Sequence, residues 1–407
     1  MIYRRAFRLF GVVAAVLLGV SPAWAEPAGP SPAVIAMREQ WLNPAVNAFT
    51  FRDTNRVFEY RMVRRAGPVQ PLPRRAGFAM PPARIAGGEA DHARWAERTF
   101  TNALLVIRDG RILFEDYRNR SDASTHFISF SMAKSITSLL VGKALEQGHI
   151  ASLDDPAGKY VPELRDGGYG SVSIRHILQM RSGVDYEERY DFGERPSLAA
   201  QIHQNAIVLN RWRFADPARS IGRKIDAGSR FNYATLDTAV LGWIIERATG
   251  KSLAAYTQEV LWAPAGMEAD AWWLADGPPG SGRELAGMGF NATLRDYGRL
   301  GQLMLNDGLR GNKRVLASGW MAQATKMIPF PSSADQGLNL GLGYGFQFWQ
   351  LDREVGAYAA VGLAGQLIYI HPASRTVIVK LSYFPPVEPD YATPETLDYF
   401  HRIVRAK

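Results

Sequence analysis

The sequence lacks cysteine entirely, since none of its 407 residues is a Cys. This absence excludes disulfide bonds, thiolate metal sites and a cysteine nucleophile together. The fold must then be held by an apolar core, and an apolar content of 47% over this length is ample for one. We expect two closely packed subdomains.

Histidine is scarce as well. The seven histidines show no spacing typical of metal ligands: His92, His126, His149, His176, His203, His371 and His401. A phosphate-binding glycine loop is also missing, as is the Gly-x-Ser-x-Gly elbow of α/β-hydrolases. The sequence therefore predicts no metal and no cofactor, and it argues against an α/β-hydrolase triad.

A strong excess of one charge is missing too. The formal net charge is +8, and three arginines in the first 25 residues reduce it to +5 for the remainder. The densest basic spots are the isolated pairs Arg64-Arg65 and Arg74-Arg75, which are typical of a solvated surface. We therefore expect no nucleic-acid partner.

The first 25 residues have the pattern of a secretory signal peptide. Arg4, Arg5 and Arg8 precede a short apolar run over residues 9–20, and the small-x-small site Ala23-Trp24-Ala25 follows. The run is short for a permanent membrane span, although an uncleaved anchor is the alternative. We expect cleavage after Ala25 and a secreted protein without a stable membrane span, periplasmic if the source is a Gram-negative bacterium.

Residues 26–100 are predicted to be an N-terminal extension that wraps the surface. The segment is rich in Pro, Gly and Ala, and its prolines exclude long helices. Its aromatic residues indicate that it docks on the rest of the protein: Trp41, Phe49, Phe51, Phe58 and Tyr60. The main domain is expected over residues 101–407.

Within the main domain, strand patterns lie at both ends and helical patterns between them. Residues 103–107 and 112–117 flank Asp109-Gly110, a strong hairpin signal because the turn needs positive φ angles. Residues 150–310 are predicted to form a helical subdomain. A last group of strands is predicted at residues 344–351, 367–370 and 376–383.

An amphipathic helix is predicted from Ser131 to a stop at Gly148. Ser131 at its start would lie at the positive end of the helix dipole, and Lys134 follows one turn later on the same face. A buried, neutral lysine could activate the serine hydroxyl. A Ser-x-x-Lys match also arises by chance in a chain of this length, so the tetrad alone leaves catalysis and coincidence open.

Two further segments offer candidate site residues. Tyr233 stands just before a second apolar helix that is predicted to end at Gly250. A buried tyrosine is more often a packed ring than an acid–base group, so spacing does not settle its role. Tyr186 lies in a polar, aromatic loop that could line a cleft or belong to the ordinary surface.

Three motifs along the chain form a larger pattern: Ser131-Met-Ala-Lys134, Tyr233-Ala-Thr235 and Gly362-Leu-Ala-Gly365-Gln366. Together they resemble the active-site motifs of the serine β-lactamase and penicillin-recognising superfamily, particularly its class C-like esterases and 6-aminohexanoate-dimer hydrolases. The resemblance runs from about residue 100 to the end of the chain.

The resemblance implies a role for each matching residue. Ser131 would be the acylated nucleophile, Lys134 would share its proton, and Tyr233 would be the general base that also protonates the leaving group. The backbone N–H groups of Ser131 and Gln366 would form the oxyanion hole. An ammonium beside the phenol is expected to lower the pKa of Tyr233 toward working pH.

The sequence departs from the family pattern at two places. Thr235 stands where Asn or Ser is usual, and its hydroxyl can replace only part of the bonding of an amide. Leu363-Ala364-Gly365 stands where a Lys-Thr-Gly or His-Thr-Gly is usual, so the cation near the substrate carboxylate is lost. With Tyr186, these residues are the expected substrate contacts.

The implied fold is α/β of the α+β kind: a five-stranded antiparallel sheet flanked by helices, with an all-helical subdomain beside it. The first hypothesis is a serine hydrolase that forms an acyl-enzyme from a small ester or linear amide. The alternatives are a β-lactamase or D-alanyl-D-alanine peptidase, and an inactive relative that binds cell-wall fragments. The acyl group and the oligomeric state stay open.

Overall fold

The structure is a computed structural model that describes residues 29–330, 341–354 and 356–407. The expected signal peptide, residues 1–25, lies outside the described residues. Among the helices in the described ranges, none has both the length and the apolar character needed to cross a membrane.

The elements are numbered in chain order. The helices are α1 (Pro32–Glu39), α2 (Asn47–Thr50), α3 (His92–Arg98), α4 (Met132–Glu146), α5 (Ala157–Tyr160), α6 (Ile174–Leu178), α7 (Leu198–Ile202), α8 (Thr235–Thr249), α9 (Leu253–Thr257), α10 (Ala263–Ala265), α11 (Leu294–Leu305), α12 (Trp320–Ala324) and α13 (Ala392–Arg405). The strands are β1 (Tyr60–Val63), β2 (Ala83–Ile85), β3 (Gly88–Ala90), β4 (Thr101–Arg108), β5 (Arg111–Tyr117), β6 (His126–Ile128), β7 (Ala271–Leu274), β8 (Phe290–Thr293), β9 (Leu309–Arg310), β10 (Lys313–Arg314), β11 (Ile328–Pro329), β12 (Gly343–Tyr344), β13 (Trp349–Gln350), β14 (Tyr358–Gly362), β15 (Gln366–His371) and β16 (Thr376–Ser382).

The main sheet is larger than the sequence predicts. Over the described ranges it has eight antiparallel strands in the order β11-β12-β13-β14-β15-β16-β4-β5, so the prediction of five strands is wrong. One reason is that the run predicted at residues 344–351 is two short strands. The chain turns back between them at Gln347, whose φ is +66°, and β12 then pairs with β13.

A second reason is the composition of β14. Its sequence, Tyr-Ala-Ala-Val-Gly, contains two alanines and a glycine, which have little preference for strands. The strand forms because β13 and β15 pair with it on both sides. Tertiary context, rather than local propensity, specifies this element.

The region over residues 150–310 is not all-helical, so that prediction is also wrong. It contains β7 and β8, which belong to a four-stranded sheet in the order β1-β7-β8-β6. The aromatic residues Trp272, Trp273 and Phe290 are buried on these strands, where large side chains favour a pleated backbone. The N-terminal extension contributes β1 to this sheet.

Several local predictions are confirmed. Asp109 and Gly110 have φ of +51° and +73° at the turn between β4 and β5. Helix α4 begins after Ser131, and α8 is capped by Gly250 with φ +68°. Because α4 contacts both α8 and the strands β14 and β15, it lies at the junction of the helical region and the main sheet.

Candidate active site

Ser131 occupies the N-cap position of α4, directly after a strained residue. Phe130 has φ +42°, a left-handed conformation that costs a bulky residue roughly 1–3 kcal/mol. Its ring packs against Trp41 and Phe51 of the N-terminal extension, with centroid distances of 5.1 and 4.9 Å. The extension therefore helps to hold the bend that presents Ser131.

Lys134 lies one turn along α4 and is buried, with 1% of its surface exposed. Its Nζ donates hydrogen bonds to Ser131 Oγ at 2.9 Å, Thr235 Oγ1 at 3.0 Å and the Gly287 carbonyl at 2.8 Å. Burial lowers the pKa of Lys134 to about 8, although the charge of Glu188 acts in the opposite direction. The amine thus contacts the serine oxygen, and it loses its proton around pH 8 instead of near its usual pKa above 10.

Thr235 links Lys134 to a carboxylate that the sequence did not single out. Its hydroxyl accepts from Lys134 and donates to Glu188 Oε1 at 2.9 Å, while its backbone N–H donates to Glu188 Oε2 at 2.6 Å. The Thr235 hydroxyl therefore bridges Lys134 and Glu188, because it accepts one hydrogen bond and donates the other. Glu188 caps the first turn of α8, where a negative charge is favoured.

Tyr233 places its ring beside the amine, with Lys134 Nζ 4.9 Å from the ring centroid. Burial raises the pKa of Tyr233 well above its usual value, and an interaction with the Ser131 side chain opposes that rise. The expectation that the ammonium lowers the pKa of this phenol is therefore wrong: Lys134 sits over the ring and desolvation dominates. The two shifts are thus opposite in direction: burial favours the protonated phenol of Tyr233 and the neutral amine of Lys134.

The turn after β14 lies against the nucleophile. A Cβ added to Gly362 would come within 2.2 Å of the Ser129 carbonyl oxygen and 3.2 Å of the Ser131 nitrogen, so only glycine fits this approach. The side chain of Gln366 donates to the carbonyls of Leu363 and Ala364 at 3.3 and 3.2 Å. These bonds hold the turn whose last residue supplies the expected oxyanion N–H.

A cavity of about 500 Å³ opens onto Ser131. The structure brings Tyr233, Thr235 and the turn residues Leu363, Ala364 and Gly365 together in the lining of this cavity. Most other lining side chains are apolar or aromatic: Trp41, Leu42, Phe51, Phe130, Phe192, Ile207, Phe214, Met288, Trp349, Leu351, Val361, Leu367, Phe384 and Leu397. A volume of this size suits a small organic molecule.

Two features of the loop before α7 differ from the sequence reading. Tyr186 is buried behind the site, where its hydroxyl interacts with Glu188, and Tyr190 is the loop tyrosine that lines the cavity. Glu188 was missed because the same loop carries Asp185, Glu187 and Asp191, and nothing in the spacing distinguishes the carboxylate that faces inward.

The comparisons with known proteins show which family the chain belongs to. Residues 91–398 match the β-lactamase family. The chain is 31% identical to 6-aminohexanoate-dimer hydrolase of Paenarthrobacter ureafaciens over 302 residues, covering 72% of this chain and 75% of that protein. It is also 31% identical to esterase EstB of Burkholderia gladioli over 189 residues, covering 42% and 47%.

A solved structure shares the fold. It is that of a Bacillus anthracis protein described as a 6-aminohexanoate-dimer hydrolase, with a TM-score of 0.79 and 24% identity over 92% of this chain and 97% of that one. With the family match spanning most of the chain, the conclusion is that this protein belongs to the β-lactamase family.

Proposed function

We propose that the protein is a serine hydrolase that cleaves a small carboxylic ester or linear amide through an acyl-enzyme on Ser131. The observation that carries this proposal is the 2.9 Å hydrogen bond between Lys134 Nζ and Ser131 Oγ, made by an amine whose pKa burial lowers to about 8. A neutral amine at this distance can take the hydroxyl proton as the oxygen attacks a carbonyl carbon.

The acylation step assigns a role to each neighbouring group. Lys134 accepts the proton of Ser131, and the developing oxyanion is stabilised by the backbone N–H groups of Ser131 and Gln366; losing one such donor typically costs about 3 kcal/mol. Tyr233, which keeps its proton in the resting site, donates it to the departing alcohol or amine and is reprotonated from Lys134. Water then reverses the sequence and releases the acid.

The β-lactamase and peptidase alternatives find less support. Their substrates carry a carboxylate, which is usually bound by a cation in the third motif. Here that motif is Leu363-Ala364-Gly365, and no lysine or arginine lines the cavity in the described part of the chain. The relatives described as a dimer hydrolase and as an esterase support an ester or linear amide instead.

The test is covalent labelling combined with turnover. A fluorophosphonate probe should label Ser131 in the wild type and leave Ser131→Ala unlabelled, and mass spectrometry of the labelled peptide identifies the site. Hydrolysis of p-nitrophenyl acetate should exceed that of a chromogenic cephalosporin. If the folded wild type takes no label and hydrolyses neither compound, the protein is the inactive relative and the proposal is lost.

We also propose that residues 1–25 direct export and are removed after Ala25. The basic residues, apolar run and small-x-small site of the sequence support this proposal. Expression of the full chain followed by N-terminal sequencing of the exported fraction should give Glu26 as the first residue. A protein retained in the cytoplasm with an intact N-terminus would refute it.

A further inference from the structure

The two carboxylates that line the cavity, Glu188 and Glu388, already accept hydrogen bonds from groups within the protein. Glu188 accepts from Thr235 and from the Tyr190 hydroxyl, the latter at 2.6 Å. Glu388, the other carboxylate in the lining, accepts from Thr393. Both of these side chains can only accept hydrogen bonds when ionised, so they offer no positive charge and no donor to a substrate.

The cavity also offers no positive charge to a substrate. No lysine or arginine is among its lining residues in the described ranges. His203 lines the cavity, but burial lowers its pKa to about 4, so it is neutral at physiological pH. When Lys134 is protonated, its charge is opposed by the nearby Glu188, and Glu388 adds a further carboxylate to the cavity lining. An anionic substrate would therefore be repelled.

The mouth of the cavity is apolar as well. Three lining side chains are largely exposed: Tyr190 at 49%, Phe192 at 57% and Leu363 at 51%. Val387, at 85% exposed, stands between the lining residues Pro386 and Glu388. Exposed apolar side chains grouped at the rim of a cavity are typical of a surface that receives an apolar ligand.

We infer that the substrate is an uncharged ester or linear amide whose extended, apolar acyl chain fills this cavity. The inference rests on the proposed function and narrows its substrate class. The apolar space is assigned to the acyl chain because that group stays attached to Ser131 through both half-reactions, whereas the alcohol or amine leaves after the first. Substrates with a carboxylate on the acyl chain, and short acyl groups that leave the cavity empty, are poor substrates.

A chain-length series tests the first part. With p-nitrophenyl acetate, butanoate and hexanoate, kcat/KM should rise by about fourfold for each methylene that is buried, or about 15-fold for each two-carbon step. The acetate value serves as the internal control for the acylation machinery. If acetate is cleaved as well as or better than hexanoate, the inference is overturned while the proposed function stands.

A matched charge pair tests the second part. The mono-p-nitrophenyl ester of adipic acid has the six-carbon chain of hexanoate with a terminal carboxylate, and its kcat/KM should be at least 100-fold lower. Leu363→Lys should reduce the ratio of kcat/KM for the hexanoate ester to that for the adipate ester by tenfold or more. The neutral Leu363→Met should leave this ratio unchanged. Equal rates for the two esters in the wild type, or a gap that Leu363→Lys does not change, would overturn the inference.

The two proposals fail in different ways. Absence of turnover for every ester, together with absence of a label on Ser131, counts against the serine hydrolase itself. Turnover of acetate with no preference for chain length or charge counts against the apolar acyl chain alone. Since Leu363 is half exposed, both substitutions are expected to fold, and melting temperatures check that they do.

Discussion

Lys134 and Lys380 are buried to nearly the same degree, at 1% and 0% exposed, and burial lowers the pKa of both amines. Their surroundings differ. Lys134 contacts a hydroxyl that opens onto a cavity. Lys380, on β16, donates to the Thr99 carbonyl at 2.8 Å, bonds Ser382 and packs 4.7 Å from the centroid of the Phe384 ring.

The difference teaches that a lowered pKa does not make a lysine catalytic. Desolvation prepares both amines to be neutral, but a base also needs a proton to accept in a place that a substrate can reach. Lys134 satisfies that condition because Ser131 stands at the start of the same helix. Lys380 acts as a packing residue whose amine is satisfied by the Thr99 carbonyl after α3 and by Ser382 on its own strand.

The largest difference in activity between the two lysines should appear when each amine is removed in turn. Lys134→Met should lower kcat/KM for p-nitrophenyl acetate by about 10³-fold or more, because the serine loses its base. Lys380→Met replaces a buried amine with an apolar chain of similar length. Because apolar replacements of buried charged groups are often tolerated, this variant should retain activity within about tenfold. Circular dichroism and melting curves show whether each variant is folded. Equal losses in two folded variants would break the comparison.

The next effect is the pH dependence of the wild type. Since the pKa of Lys134 lies at about 8, the fraction of neutral amine rises with pH, and activity should be present above that pKa and lost below it. kcat/KM should increase roughly 90-fold from pH 6 to pH 9 and then level off. Rates measured with Ser131→Ala correct for spontaneous ester hydrolysis. A flat profile over this range would mean that another group is the base.

A smaller effect on activity is expected from changing Thr235, whose hydroxyl links Lys134 to Glu188. Thr235→Val keeps the shape but removes the hydroxyl, which leaves Lys134 one acceptor short and Glu188 one donor short. We expect a fall in kcat of about tenfold, the size of one lost charge-assisted hydrogen bond. Thr235→Ser keeps the hydroxyl and should retain most activity. If both variants behave alike, the hydroxyl is not used.

The sequence predicts the parts of the site that depend on local signals. The start of α4 at Ser131, the stop of α8 at Gly250 and the turn at Asp109-Gly110 all follow from caps, periodicity and turn chemistry within a few residues. The proximity of Lys134 to Ser131 follows in the same way, because positions three apart on a helix are neighbours.

The parts it does not predict depend on contacts between distant segments. Strand β14 forms only when its neighbours are in place, and the aromatic residues of the extension could be expected to dock but not to support Phe130. The acceptor role of the Gly287 carbonyl carries no side-chain signal at all. Glu188 is selected from several loop carboxylates by the path of the folded chain.

The smallest effect, and the sharpest test of how the two lysines differ, concerns Glu188. Its negative charge raises the pKa of Lys134 against the larger effect of burial. The charge of Glu388 likewise raises the pKa of Lys380 against the larger effect of burial. Glu188→Gln keeps the size and the acceptor oxygen but removes the charge, so the midpoint of the pH profile should move to lower pH, by less than about one unit. Glu388→Gln is the matched control and should leave the midpoint unchanged, because Lys380 does not take part in the reaction. A shift to higher pH in Glu188→Gln, or equal shifts in both variants, would show that the profile does not report Lys134, and the assignment of the base would have to move to Tyr233.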